Sequence, residues 1–457
     1  MLRDPVLRAP ELLLPAGSLA KMEAAFDYGA DAVYAGQPRY SLRARNNEFS
    51  TLPVLAAGIQ GAHRRGKKFF VASNIFAHNA KLKTYLRDMA PLIALKPDAL
   101  IMADPGLIMM VRDEWPDMAI HLSVQANAVN YADVLFWQRV GLKRVILSRE
   151  LSLDEIEEIR QRCPDMELEV FVHGALCIAY SGRCLLSGYF NHRDANQGTC
   201  TNACRWDYKV HPAAEHASGD VAAAPEVRMQ YTAAMERPER SFSAMGAMPR
   251  HRQANRPFLL EEAERPGELM PVLEDEHGTY IMNSKDLRAV EHVARLVKIG
   301  IDSLKIEGRT KSLYYAARTA QVYRQAIDDA TAGRAFDPAL LGQLQGLASR
   351  GYTDGFYQRH HTHTHQNYMN GASQLGRSQF VGAVQAIGGG WAEIDVKNRF
   401  AVGDRIEVIH PDGNHVLTLE AIFALDGSAL EVAPGSGHRV RIALESRYAN
   451  ALLARLC

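Results

Sequence analysis

Short apolar runs alternate with stretches of helical spacing along the first 335 residues of the chain. The apolar runs predict strands at 11–15, 31–36, 67–74, 98–103, 119–126, 143–148 and 167–173. The stretches between them predict helices, among others at 79–95, 105–115, 130–140 and 152–162. After a long interruption, an eighth strand is predicted at 301–308 and a helix at 312–331. Eight strands alternating with helices predict a parallel (β/α)8 TIM-like barrel.

A doubly wound open sheet is the competing fold, but it is disfavoured because no Gly-x-Gly-x-x-Gly follows the first strand. The pattern changes in the last part of the chain, where short alternating runs are separated by Gly, Asp and Asn. This pattern predicts a small antiparallel β-barrel. We therefore expect a catalytic barrel over 1–335, a linker over 336–374 and a small β-barrel domain over 375–457.

The interruption before the eighth strand has two parts. Residues 174–210 carry a cluster of cysteines, so the barrel is predicted to have a cysteine-bearing insertion after its seventh strand. Residues 211–256 are rich in Ala, Met, Pro, Arg and Glu, with no sustained period. We interpret this second part as a variable or disordered insertion.

Composition restricts the class of protein. The chain is 47% hydrophobic and 23% charged with a formal net charge of zero, which is typical of a globular protein and does not indicate nucleic-acid binding. No apolar run reaches the roughly 18–20 residues of a membrane span, and the N-terminus lacks the apolar core of a signal peptide. We expect a cytoplasmic protein with reduced cysteines and no membrane partner.

Four of the six cysteines lie close together in the chain, at Cys177, Cys184, Cys200 and Cys204. Their spacing is C-x6-C-x15-C-x3-C, whereas zinc sites usually pair C-x2–4-C knuckles. An irregular loop around an iron–sulfur cluster fits this spacing better, although zinc and simple burial of the thiols stay open. The other two, Cys163 and Cys457, are expected to be bystanders.

Polar residues at the ends of barrel strands are candidates for a site, because such ends carry the active sites of TIM barrels. The candidates for substrate binding or catalysis at these ends are Asn74, Gln125, Asn127, Arg149, Glu150, His173, Lys305, Glu307 and Arg309. Each has a structural alternative: Lys305 and Glu307 could form an internal ion pair, and His173 could be a core histidine. Gln125 and Asn127 could be structural amides.

Arginines follow the second strand at Arg39, Arg43 and Arg45. Because guanidinium groups bind carboxylates and phosphates bidentately, this loop suits a polyanion, with solvated surface charge as the alternative. The histidine run at 360–365 is interpreted as a solvated linker rather than a metal site. The sequence has no Gly-x-Ser-x-Gly, no His-Glu-x-x-His and no Walker loop, which disfavours a nucleophilic hydrolase or a P-loop enzyme.

The run HGALCIAYSGRCLLSGY at 173–189 resembles the signature of the collagenase-like peptidase family. Further matching segments are LLLPAGSLAKMEAAFDYGADAVYAG at 13–36, LSVQAN at 122–127 and SLKIEGRTKSLYYAARTAQVYRQAID at 303–328. Within that family, the run NQGTCTNACRW is similar to the branch that hydroxylates tRNA.

The resemblance implies oxygen-independent formation of 5-hydroxyuridine at the wobble position (U34) of tRNA, with prephenate as hydroxyl donor and co-substrate. It also implies a [4Fe–4S] cluster, delivered by the iron–sulfur assembly machinery and held by Cys177, Cys184 and Cys200. In sister members the fourth ligand lies in the stretch just before the segment that is NSKDL here, at 283–287. That stretch contains no cysteine in this chain, so Cys204 becomes the candidate.

On this reading, Arg39, Arg43, Arg149 and Arg309 hold the carboxylates of prephenate. His173, Lys305 and Glu307 handle protons, while Asn74, Gln125, Asn127 and Glu150 contact substrate. The C-terminal domain is expected to contact tRNA through Arg439, Arg441 and Arg447. The alternatives are a peptidase, as the family label suggests, and a non-catalytic RNA-binding or assembly factor.

Overall fold

The structure is a computed structural model that describes residues 7–41, 48–175, 208–215, 221–223, 258–262, 269–275, 278–281, 286–347, 351–358 and 378–456. Strands and helices are numbered in chain order. The strands up to residue 353 are β1 (Glu11–Pro15), β2 (Ala32–Gly36), β3 (Lys68–Ser73), β4 (Ala99–Met102), β5 (Ile120–Leu122), β6 (Arg144–Ile146), β7 (Glu167–Ala175), β8 (Tyr208–Glu215), β9 (Val221–Ala223), β10 (Phe258–Glu262), β11 (Leu269–Asp275), β12 (Gly278–Ile281), β13 (Asp286–Arg288), β14 (Ser303–Ile306) and β15 (Tyr352–Thr353).

The described part of the chain up to residue 347 contains nine α-helices. They are α1 (Leu19–Asp27), α2 (Leu52–Arg64), α3 (Asn79–Ile93), α4 (Pro105–Glu114), α5 (Tyr131–Val140), α6 (Leu153–Arg162), α7 (Val293–Ile299), α8 (Leu313–Thr331) and α9 (Ala339–Gln345). Helix α6 begins with a capping box: the Ser152 side chain accepts from the Glu155 amide, and the Glu155 carboxylate accepts from the Ser152 amide.

The strands β1 to β7 and β14 form a closed parallel barrel. Neighbouring strands pair in sequence from β1 to β7, and β14 pairs in parallel with both β7 and β1. The same Ser303 lies opposite Glu11 on one side and Glu169 on the other, which closes the ring. The predicted TIM-like barrel is therefore confirmed, and all eight strands point their carboxyl ends to one mouth.

One local prediction is wrong. Strand β5 ends at Leu122, and residues 124–126 form a 3-10 turn that ends at Asn127 in the left-handed conformation (φ 57°), so Gln125 lies on a turn. The predicted irregular stretch 211–256 contains the pairing of β8 with β9. The predicted linker contains α9, whose Leu340 and Leu344 are fully buried, and β15, which pairs with β13.

The last part of the chain forms an antiparallel domain, as predicted. Its strands are β16 (Ser378–Gly388), β17 (Trp391–Val396), β18 (Phe400–Ala401), β19 (Arg405–Ile409), β20 (His415–Thr418), β21 (Ile422–Phe423), β22 (Ala429–Leu430), β23 (Val432–Ala433), β24 (Arg439–Ala443) and β25 (Leu452–Leu456). Eight of them form one sheet in the order β20-β19-β25-β16-β17-β24-β21-β22, and β18 pairs with β23. The domain has its own apolar core.

The small domain docks against α1 and α8 of the barrel through both apolar and polar contacts. Tyr28 donates a 2.8 Å hydrogen bond to the carbonyl of Ile409, and the buried guanidinium of Arg318 forms a salt bridge with Glu407. Within the described residues, no helix combines the length and apolar character that a membrane span requires.

Candidate functional site at the mouth of the barrel

The carboxyl ends of the barrel strands bring several predicted residues to one mouth. Asn74 follows β3, Arg149 follows β6, and Glu307 and Arg309 follow β14. Asn74, Glu307 and Arg309 are each less than 10% exposed, although all three are polar or charged. Polar groups are buried at such a position only when they are paired or serve a site.

Lys305 lies inside the barrel, one layer below the mouth. Its ammonium group is 2.8 Å from the Glu169 carboxylate and faces the rings of Tyr34 and Phe171 at 4.5 and 5.5 Å. Burial lowers the pKa of Lys305, and the Glu169 charge opposes that effect. Lys305 is thus in an internal ion pair, as the alternative held, but its partner is Glu169 on β7.

A polar layer at the opposite end of the barrel supports this pair, and the sequence reasoning missed it. The Arg144 guanidinium lies 2.7 Å from Glu11 and 2.9 Å from both Glu167 and Glu169. Burial alone raises the pKa of Glu169, but Lys305 and Arg144 outweigh it and hold that pKa below its usual value. The sequence signal that could have revealed this layer is a pair of acidic residues, Glu167 and Glu169, at alternate positions of the otherwise apolar strand β7.

Above Lys305, Glu307 lies between an arginine and a tyrosine. The Arg149 guanidinium is 3.8 Å from the Glu307 carboxylate and stacks 3.7 Å from the Phe171 ring centroid. The Tyr34 hydroxyl donates to the Ile306 carbonyl at 3.1 Å and reaches Glu307 at 3.5 Å. Two predicted residues, Arg149 and Glu307, are therefore brought together with a tyrosine that was not predicted.

Arg309 is held beside them by close packing. It donates a 3.1 Å hydrogen bond to the Ser41 hydroxyl, and its Nε is buried without a hydrogen-bond partner among the described residues. A Cβ on Gly36 would lie 2.4 Å from an Arg309 nitrogen, and one on Gly17 would lie 2.2 Å from the Arg309 carbonyl oxygen. Glycines at these two positions therefore make room for Arg309.

The predicted amides lie on the other side of the mouth. Asn74 donates a 3.0 Å hydrogen bond to Gln125, whose side-chain oxygen also accepts from Ser123. Asn127 accepts a 3.4 Å hydrogen bond from Ser148. These contacts fit the structural-amide alternative for Gln125 and Asn127, and substrate contact stays a prediction for both.

His173 does not join the residues inside the barrel. Opposite β14, Lys305 pairs with Phe171 and Ile306 with His173, so β7 carries one extra residue, Val172, as a bulge. The bulge directs His173 outward to α8, where its Nδ1 lies 3.3 Å from the Tyr323 hydroxyl. Burial, with the charges of Arg288 and Lys311, lowers its pKa to about 3. This geometry favours the interpretation of His173 as a core histidine.

The remaining predicted residues are dispersed or undescribed. Arg39 is about half exposed and pairs with Asp88 of α3, which fits the solvated-charge alternative. Glu150, next to Arg149, is half-buried. The other predicted residues lie outside the described residues: Arg43, Arg45, Cys177, Cys184, Cys200, Cys204 and the histidine run at 360–365. Cys163 is a buried free thiol, as expected of a bystander.

The described residues alone contain no group of three or more His, Cys, Asp or Glu side chains suited to a metal ion. The residues predicted to hold a cofactor are thus the four undescribed cysteines. The strand β7 ends at Ala175, two positions before Cys177 in the chain. The end of β7 therefore lies at the mouth, next to Glu307, whose carbonyl oxygen would lie 2.4 Å from a Cβ on Gly174.

Comparison with known proteins gives consistent matches over the chain. Residues 17–367 match Peptidase family U32, and residues 376–455 match the Peptidase family U32 C-terminal domain. The tRNA hydroxylation protein P of Escherichia coli (strain K12) is 59% identical over 432 residues, covering 94% of this chain and 93% of that protein.

Two more distant relatives carry different names. The Uncharacterized protease MJ0090 of Methanocaldococcus jannaschii is 32% identical and covers 95% of each chain. The 23S rRNA 5-hydroxycytidine C2501 synthase of Escherichia coli (strain K12) is 30% identical over 76% of this chain and 42% of its own length. The match to the family extends over both domains and confirms the resemblance found in the sequence, and the chain belongs to Peptidase family U32.

Proposed function

We propose that this chain is a tRNA hydroxylase that forms 5-hydroxyuridine at the wobble position (U34) without molecular oxygen, using prephenate as hydroxyl donor. The observation that carries the proposal is 59% identity, over 94% of the chain, to a protein named for tRNA hydroxylation. A relative named for 5-hydroxycytidine synthesis on rRNA adds support, because it too is named for a 5-hydroxylated pyrimidine nucleoside in RNA.

The charges at the mouth suit a donor with two carboxylates. Arg149 and Arg309 both place a guanidinium group at the mouth, where Arg149 lies 3.8 Å from Glu307, while Lys305 is already matched by Glu169. The buried Arg309 Nε, which has no partner among the described residues, is a donor that a bound carboxylate would satisfy. We therefore assign the carboxylates of prephenate to Arg149 and Arg309.

Among the predicted proton-handling residues, the geometry favours Glu307. Glu307 lies at the mouth, whereas His173 faces α8 behind the strand and the Lys305 ammonium is tied to Glu169. Replacing the C5 hydrogen of uridine by a hydroxyl group requires that a proton leave the base. Glu307, oriented by Arg149 and Tyr34, is the residue that we assign to accept it.

The cluster would be held by Cys177, Cys184, Cys200 and Cys204. Four thiolates are the donor set that a [4Fe–4S] cluster requires. When bound, the cluster would supply one-electron redox chemistry for the oxidation of the base. We infer that tRNA, prephenate and the iron–sulfur assembly machinery are the partners of this chain.

The peptidase alternative rests on the family name and on the name of the archaeal relative. Among the described hydrogen bonds, none joins a serine or threonine hydroxyl, or a thiol, to a histidine ring, which is the arrangement that activates a nucleophile in many peptidases. The mouth offers cations for an anionic substrate instead. A non-catalytic RNA-binding factor would not need a buried carboxylate such as Glu307 at the mouth of the barrel.

Reconstitution tests the proposal. The protein purified without oxygen should contain iron and sulfide and should convert unmodified tRNA to 5-hydroxyuridine-containing tRNA only when prephenate is added. Arg309→Gln should raise the prephenate concentration needed for half-maximal rate, whereas Arg39→Gln should not, because Arg39 pairs with Asp88 on the surface. A colourless zinc protein, or turnover without prephenate, would contradict the proposal.

A further inference from the structure

The small domain presents two aromatic rings and an arginine on the outer side of its sheet. Trp391 of β17 is 41% exposed, and its ring meets that of Phe423 of β21 edge-to-face, with centroids 5.1 Å apart and planes at 89°. Arg441 of β24 is exposed beside them. We call Trp391, Phe423 and Arg441 the aromatic face.

Strand alternation explains why these residues point outward. On β17, Ala392, Ile394 and Val396 are fully buried, so Trp391 and the other residues between them lie on the opposite side. On β24, Val440 and Ile442 are buried in the same core, and Arg441 lies between them on the outer side. The domain gains nothing for its core from a tryptophan at the start of β17.

The neighbours of Trp391 leave its ring uncovered. Its cross-strand partners are Gly388 on β16 and Ala443 on β24, both too small to cover an indole. Phe423 lies opposite Arg441, so the guanidinium is next to one ring and diagonal to the other. A flat ligand therefore has access to the indole, with a cation within reach.

The charges around the aromatic face leave Arg441 in excess. Glu393 pairs with Arg439 at 3.0 Å, and Asp395 pairs with Lys397 at 2.8 Å. Glu393 lies directly opposite Arg441 on β17 but is bonded to Arg439, and the described residues provide no salt bridge for Arg441. The surface thus combines an accessible indole with an uncommitted guanidinium, which is the chemistry that binds an unpaired nucleotide: the base stacks on the ring and the phosphate pairs with the cation.

We propose that the aromatic face binds an unpaired segment of RNA, with a base stacked on Trp391 and a phosphate held by Arg441. This inference rests on the proposed function in one respect only, namely that the substrate is RNA. It extends the earlier expectation of arginine contacts by assigning the stacking residue and by removing Arg439, which is paired with Glu393.

Direct binding to the full-length protein tests the aromatic face. The probe is a fluorescein-labelled single-stranded RNA of mixed sequence, compared with the same strand in a duplex. Because stacking contributes about 1–3 kcal/mol per base, Trp391→Ala should weaken single-strand binding by about tenfold. Trp391→Phe should retain most of the affinity, which shows that loss in the alanine variant is not loss of fold. The matched control is Phe136→Ala, an aromatic residue 57% exposed on α5 of the barrel.

Salt dependence tests the role of Arg441. Arg441→Gln should lower the slope of log affinity against log salt by about 0.7, the value for one phosphate contact on a single strand. Unchanged binding by Trp391→Ala, or an equal loss for single strand and duplex, would overturn the inference. An apolar protein partner on this face would give that unchanged result. If the RNA result holds while no variant or wild-type protein hydroxylates tRNA, the proposed function fails and the aromatic face stands.

Discussion

Glu169 and Lys305 form a buried ion pair whose two members should differ in their importance for stability. Glu169 is bound by two cations, the Lys305 ammonium at 2.8 Å and the Arg144 guanidinium at 2.9 Å. Arg144 has two further carboxylate partners, Glu11 and Glu167. Lys305 depends mainly on Glu169, since its other close contacts are aromatic rings and the charge of Glu307 has a smaller effect.

Glu169→Gln therefore removes the carboxylate that is bonded to the buried Lys305 ammonium group. Removing one partner of a buried pair costs about 3–5 kcal/mol. The cost also has an upper limit, because the lysine can lose its proton. Deprotonating a lysine that has a pKa of about 10.4 costs about 4.6 kcal/mol at pH 7. We expect a loss of about 3 kcal/mol. With an unfolding entropy of about 2.1 cal/mol/K per residue over roughly 300 residues, this lowers Tm by about 5 °C.

Lys305→Met should be milder, at about 1–2 kcal/mol, because Glu169 keeps Arg144 and the thioether chain fills the volume of the lysine. The double variant should be more stable than Glu169→Gln alone, because it no longer contains the stranded charge. Urea denaturation followed by circular dichroism measures these differences. The exposed pair of Arg39 and Asp88 provides the control, since Arg39→Gln should cost less than about 1 kcal/mol.

The relative stabilities of the two single variants test whether Lys305 depends on Glu169. If Lys305→Met is as destabilising as Glu169→Gln, or if the double variant shows the sum of both losses, then Lys305 does not depend on Glu169 for its charge. The assignment of a supported cation inside the barrel would then be refuted.

Three further predictions follow from single contacts. Because the pKa of His173 is about 3 in the folded protein and about 6.5 when unfolded, a neutral His173 contributes stability that is nearly complete above pH 6.5 and declines as pH falls towards 3. Lowering the pH from 6.5 to 4.5 should therefore destabilise the wild type by about 2 kcal/mol more than His173→Gln, and equal losses in both proteins would contradict this. Gly36→Ala should displace the Arg309 guanidinium and raise the prephenate concentration for half-maximal rate by about tenfold, while circular dichroism shows that the fold is retained. An unchanged prephenate concentration would show that Arg309 does not bind the donor. Glu407→Gln leaves the buried Arg318 charge unpaired and should make the small domain more sensitive to limited proteolysis, whereas a wild-type digestion pattern would show that this salt bridge does not hold the domain.

The periodicity of the sequence is sufficient for the barrel because each strand is a short apolar run and each helix has an amphipathic spacing. The strands at 11–15 and 144–146, for example, follow directly from their apolar residues. Periodicity is also sufficient to predict which residues lie at the mouth. A polar residue just after a parallel strand lies at the carboxyl end of the barrel, whatever its partners are. Arg149, Glu307 and Arg309 were placed together in this way.

The sequence could not reveal the side on which His173 lies. The bulge at Val172 adds one residue to β7, and a single added residue reverses the direction of the next side chain without altering the apolar pattern. The partners of Lys305 were also hidden, because Glu169 lies 136 positions away in the chain and meets it only when the barrel closes. Helix α9 was missed because it is short and lies in a stretch without long apolar periodicity.

The central claim is that this chain hydroxylates the wobble uridine of tRNA, and the modified nucleosides themselves test it most directly. Mass spectrometry of tRNA should be compared between a strain lacking this protein and the same strain carrying the wild type or Cys177→Ala, each with and without prephenate supply. We predict that 5-hydroxyuridine at the wobble position is absent without the protein and returns only with the wild type and prephenate together. Wobble uridines that are hydroxylated to the same extent in all of these strains would contradict the account.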